Sequence, residues 1–211
     1  MSDRRTEQVG TSSRQTSRER VGVLALGLSI VGAIVVYAIL NSRSAPDSSR
    51  NLLPYQVLAQ TLPDADQQVF RAIRQGLLAA ESDRARSAAW PSPETLAARG
   101  VAPFDATGSG PRYKWSRLEQ ASIINYFGQP DDGSAPAWLI EIQEPEPGMP
   151  PDTAPPDDEH HRLPDGTMLH TYVWMHRYGG QVTVGFVRQP QTVGWTAVFA
   201  TAPNPVYYNR R

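Results

Sequence analysis

Residues 61–93 read TLPDADQQVFRAIRQGLLAAESDRARSAAWPSP, and the fold turns on how they are taken. Val69, Phe70, Ile73, Leu77 and Leu78 recur at three- and four-residue spacing, which puts them on one stripe of a helix. Thr61 stands where an N-cap belongs, Pro63 suits the first turn, and Asp64 and Asp66 put negative charge at the positive end of the helix dipole. The spacing predicts a helix from about Pro63 to Ala88, stopped by Trp90-Pro91-Ser92-Pro93. A second, short helix is predicted from Pro93, capped by Ser92 and ended by Gly100. A single apolar stripe must be buried against a partner, and the rest of the chain has to supply it.

From Arg112 onward the period changes. Tyr113 to Glu119, Ser122 to Phe127, Trp138 to Gln143, Met168 to Arg177, Val182 to Arg188 and Trp195 to Thr201 are β-branched and aromatic runs separated by turn residues. A long helix followed by a run of strands argues for an α+β domain. The expectation is a mainly antiparallel sheet of about five or six strands, with the helix laid on one face. This domain is expected over residues 61–203, with 41–60 as a linker and 204–211 as a C-terminal tail.

Upstream, residues 21–40 read VGVLALGLSIVGAIVVYAIL, without a charge, Pro, Asn or Gln. At about 1.5 Å of rise per residue, such a helix reaches roughly 30 Å, the thickness of a bilayer's hydrocarbon core. It is expected to be an uncleaved transmembrane anchor, because the apolar core is long for a signal peptide and Asn41-Ser42-Arg43-Ser44 is a poor cleavage site. Arg4, Arg5, Arg14, Arg18 and Arg20 precede it, and only Arg43 and Arg50 follow closely, so the positive-inside rule places the N-terminus in the cytoplasm. The tail 1–20, too polar to bury a core, is expected to be disordered, and the domain is expected in the periplasm of a bacterial inner-membrane protein.

The 211 residues contain no Cys, which excludes disulfides, thiolate nucleophiles and Cys-ligated metals. A net charge of −1 gives no electrostatic footprint for nucleic acid. No nucleophile elbow, phosphate loop or His-Glu-x-x-His helix is present, so an enzyme is not expected. From Glu144 to Glu159, EPEPGMPPDTAPPDDE, 12 of 16 residues are Pro or acidic, which predicts an extended loop outside the core.

The chemistry-bearing residues gather next to that loop. Asp157-Asp158-Glu159-His160-His161 runs into Leu163-Pro164-Asp165-Gly166 and then into the strand holding His170 and His176. A Pro-Asp-Gly turn with Gly166 left-handed pairs Leu163 with Thr167, Arg162 with Met168, His161 with Leu169 and His160 with His170. Directly opposed residues have Cβ atoms about 5 Å apart, so His160 and His170 can share one metal ion. Asp158, two residues before His160, is expected on the same face, completing a two-His, one-carboxylate set for zinc or a similar ion. The plainer alternative is a solvated turn whose acids pair with the imidazoles or Arg162. His170, Tyr172, Trp174 and His176 should form a polar-aromatic surface, with Leu169, Val173 and Met175 facing the core.

Trp90-Pro91-Ser92 through Phe104, then Asp157 to Thr167, then the strand from His170 to Trp174 resemble an uncharacterised family of bacterial proteins with one N-terminal span and a small periplasmic domain. The resemblance covers most of residues 20–200 and implies genes often placed beside metal-uptake ABC transporters, particularly for zinc. The leading expectation is a non-enzymatic membrane accessory protein of divalent metal acquisition that binds metal or a metal carrier, with such a transporter as partner. The alternative is a structural or docking subunit of an envelope assembly, similar to pilins in its helix-then-sheet order.

Overall fold

The computed structural model describes residues 52–105, 111–149 and 155–201. The expected anchor at 21–40, the tail 1–20 and the segment 204–211 lie outside them. Among the described residues no helix is long and apolar enough to cross a membrane.

The predicted long helix is α1, Asp64–Ser87. Val69, Phe70, Ile73, Leu77 and Ala80 are its buried stripe, while Leu78 stays exposed. Asp64 and Asp66 in the first turn and Arg84 and Arg86 in the last complement the dipole. The expected Thr61 cap is replaced: Thr61 ends a 3-10 turn, its Oγ1 donating to the Leu58 carbonyl at 2.8 Å, and Pro63 occupies the cap position without a side-chain bond. Gly76 sits mid-helix for a packing reason. A Cβ there would lie 2.6 Å from the Ala102 carbonyl oxygen, so the loop at residues 102–104 approaches closely only because no side chain intervenes. Helix α2, Pro93–Ala97, is capped as predicted, Ser92 Oγ accepting from the Thr95 amide at 3.2 Å.

Among the described residues seven strands form one sheet in the order β1-β7-β6-β4-β3-β2, with β5 pairing β6 off that path. They are β1 Gln56–Leu58, β2 Tyr113–Gln120, β3 Ile123–Pro130, β4 Ala137–Gln143, β5 His160–Arg162, β6 Met168–His176 and β7 Thr196–Phe199. The fold is α+β with a mixed sheet: every pairing is antiparallel except β1 with β7. The stretch expected as a linker up to residue 60 therefore supplies an edge strand.

The sheet is covered on both faces. On the helix side, the α1 stripe packs with Trp115, Ile124, Tyr126, Trp138, Ile140, Ile142, Leu169, Val173 and Met175. On the other side, Phe127, Ala137, Leu139, Trp174, Trp195, Ala197 and Phe199 form a second core, with Leu52, Tyr55, Val182 and Val187 packed against it. This overturns the expected open surface at Trp174, which is 6% exposed. The cover comes partly from Val182–Arg188, predicted as a strand but irregular here. Side chains pin it instead: Gln129 Nε2 donates to the Val182 carbonyl at 3.3 Å, and the Val187 amide donates to Asn125 Oδ1 at 2.8 Å. Both of β4's edges and the far edge of β6 are already taken, by β3, β6, β5 and β7, so this apolar run closes over a face rather than extending the sheet.

Candidate functional site

The predicted hairpin register is the observed one. His160 pairs with His170, His161 with Leu169 and Arg162 with Met168, and the Leu163 amide donates to the Thr167 carbonyl at 2.8 Å. Gly166, at φ +90°, takes the left-handed place the turn demands. The two imidazoles consequently meet edge to face, ring centroids 4.8 Å apart, with His160 only 8% exposed.

Asp158 does not join them. Strand β5 begins at His160, so the two-residue alternation that placed Asp158 beside it does not extend back that far. Its carboxylate reaches the opposite face, accepting from Arg74 Nη2 on α1 at 2.8 Å and from Thr201 Oγ1 beyond β7 at 2.8 Å. Among the described residues no group of three His, Cys, Asp or Glu side chains converges as a metal site would require. Asp158 instead clasps a fork in the sheet, because β5 and β7 both pair with the same edge of β6 and leave a gap between them. A cleft of about 80 Å³ opens at this fork, lined by Phe70, Leu77, Thr171, Val173 and Val198 among others, and Thr171 Oγ1 is buried there without a hydrogen bond.

The acid that does meet the histidines is Asp157. Its Oδ1 lies 2.8 Å from His160 Nδ1 and accepts from the backbone amides of Glu159 and His160 at 2.8 Å each. Burial opposes its charge, yet these amides and the imidazole hold its carboxyl below the usual range. A carboxylate fixed on one ring nitrogen sets tautomer and orientation, the arrangement that accompanies metal-ligating histidines. His161 serves the core: its Nδ1 is 2.6 Å from Glu81 Oε1 on α1. His176, at the far end of β6, packs its ring 5.4 Å from Trp195.

The same sheet face carries a polar layer that the pattern reading missed. Gln143 lies directly across from His170, Glu141 across from Tyr172, and Asn125 across from Glu141. Glu141 is 2% exposed; Gln143 Nε2 donates to its Oε1 at 2.8 Å and Trp174 Nε1 to its Oε2 at 2.9 Å. Burial raises its carboxyl above the ordinary range, against the pull of these two donors. The available signal was a carboxylate within AWLIEIQ, residues 137–143, where positions 137–140 and 142 are all apolar. Asn125 is fully buried with Nδ2 lacking a partner.

Residues 57–202 match the family of unknown function DUF6162. The chain belongs to that family. No curated protein and no solved structure matches.

Proposed function

We propose that this DUF6162 member is a non-enzymatic accessory protein of the bacterial inner membrane that binds a divalent metal ion, zinc by preference, through His160 and His170. The observation that carries the reading is the pairing of these imidazoles across β5 and β6, ring centroids 4.8 Å apart, with Asp157 seated on His160 Nδ1. Two imidazoles with an orienting carboxylate fit zinc, and positions left to water or to a partner's groups suit an ion that must be passed on. A metal-uptake ABC transporter is the partner this role implies. Support for the location is the apolar stretch 21–40 with five Arg before it and only Arg43 and Arg50 close behind. A reporter fused after Arg211 should be active only outside the cytoplasm.

The docking-subunit alternative has less behind it. The long open edge of the sheet, β2, carries Lys114, Arg117 and Glu119, charges that discourage pairing with another strand.

Zinc calorimetry on the full chain in detergent tests the reading. Binding near one ion per chain, strongly weakened by His160→Ala and by His170→Ala but not by His176→Ala, is expected. A flat titration, or equal loss from His176→Ala, overturns it.

A further inference from the structure

The polar layer beside the histidines contains one carboxyl group buried without a charged partner. Glu141 is 2% exposed, and both of its oxygens are satisfied by neutral donors alone, Gln143 Nε2 and Trp174 Nε1. Among the described residues no Arg, Lys or His pairs with it. A buried carboxylate is normally matched by a positive partner, because neutral hydrogen bonds recover only part of the lost hydration.

The sheet register shows where such a partner would come from. Residues 141 and 143 share one face of β4, and residues 170 and 172 share the same face of β6, with Gln143 opposite His170 and Glu141 opposite Tyr172. Glu141 is thus the diagonal neighbour of His170, a separation of about 7–8 Å between backbone positions that a long side chain spans. Its Oε1 already leans toward the row of His170, since it is the atom that Gln143 holds at 2.8 Å. His160 continues that row on β5, opposite His170. The unpartnered Nδ2 of buried Asn125, opposite Glu141 on β3, marks the layer as incompletely satisfied in this arrangement.

We infer that Glu141, and not Asp158, is the carboxylate ligand that completes the His160–His170 set: the three groups do not converge in the structure as it stands, and they come together as Glu141 leaves Trp174 and Gln143 when a divalent ion binds. This rests on the metal-binding reading above and names its third ligand. Two imidazoles and one carboxylate form a donor set typical of zinc, and ligation by Glu141 exchanges any carboxyl proton it holds for the ion. Release of the Trp174 indole couples the site to the second core, where that ring packs.

The indole is also the probe. Full chain in detergent, labelled with ¹⁵N-indole Trp and assigned with Trp174→Phe, is titrated with zinc while the Trp174 Nε1–H resonance and the affinity are followed. The expected result is a zinc-dependent shift of that resonance in the parent. Glu141→Gln should bind zinc at least tenfold more weakly and show no zinc-dependent Trp174 shift. Binding that depends on His160 and His170, with Trp174 unmoved and Glu141→Gln equal to the parent, overturns the role of Glu141 and leaves the histidine reading standing. Absence of zinc binding in the parent overturns both.

Discussion

At the scale of single residues, Asp158, expected beside His160, pairs with Arg74 instead, while Glu141 is the acid buried in the polar layer. A burial-raised carboxyl pKa means that the folded state prefers the protonated acid. The stability linked to Glu141 is therefore fully present below the unfolded carboxyl value and lost as pH rises through the folded one. Glu141→Gln keeps the shape and removes that loss. Its melting temperature should match or exceed the parent's at pH 8, with any advantage fading toward pH 4; a variant clearly less stable at pH 8 would contradict this account of the site. A group kept at a cost to stability fits a binding role better than a packing one. Asp158 behaves as a partly exposed clasp, its ion pair with Arg74 having side chains 37% and 27% exposed. Asp158→Ala should cost no more than about 1 kcal/mol in chemical denaturation and leave zinc affinity alone. Asp157→Ala should weaken zinc roughly 10- to 100-fold through the loss of His160 orientation.

At the scale of elements, the legible parts were those written locally. The Pro-Asp-Gly turn sets the β5–β6 register from eleven consecutive residues, and the α1 stripe follows from three- and four-residue spacing. What escaped depends on distant chain. Strand β1 has three residues and pairs in parallel with β7, some 140 positions on, so no periodicity announces it. Val182–Arg188 has strand-like residues but no free strand edge beside it in the body of the sheet. Asp158 was misplaced because alternation holds only inside a strand, and the loop before β5 is tied by its own acids. Glu144, at the other end of that loop, accepts from Trp90 Nε1 at 2.9 Å and Arg84 Nε at 2.7 Å. Both described ends of the acidic segment are therefore anchored to the domain. Local geometry also yields a paired prediction. Ala121 takes a left-handed φ of 53° in the two-residue β2–β3 turn, so Ala121→Gly should gain up to about 1 kcal/mol. Gly76→Ala should lose about 1–3 kcal/mol, because contact with the Ala102 carbonyl outweighs better helix propensity. Urea denaturation of the two variants checks both signs.

At the scale of the molecule, one sheet separates two environments. The helix side is a continuous apolar core with His161 and Glu81 as its internal polar tie. The opposite side is divided: its Trp174–Trp195 half is apolar and covered, and its His160–Asn125 half is a polar layer running across four strands. That division places the paired imidazoles and the buried carboxylate on the same surface, and it was not readable from alternation, which distinguishes faces but not what covers them. Zinc held at this layer by His160 and His170 is the central claim. X-ray absorption at the zinc edge of the loaded full chain tests it most directly. The account predicts two imidazole nitrogens at about 2.0–2.1 Å from zinc, both lost in the His160→Ala/His170→Ala double variant. A spectrum without imidazole scattering, or one unchanged by the double substitution, would contradict it.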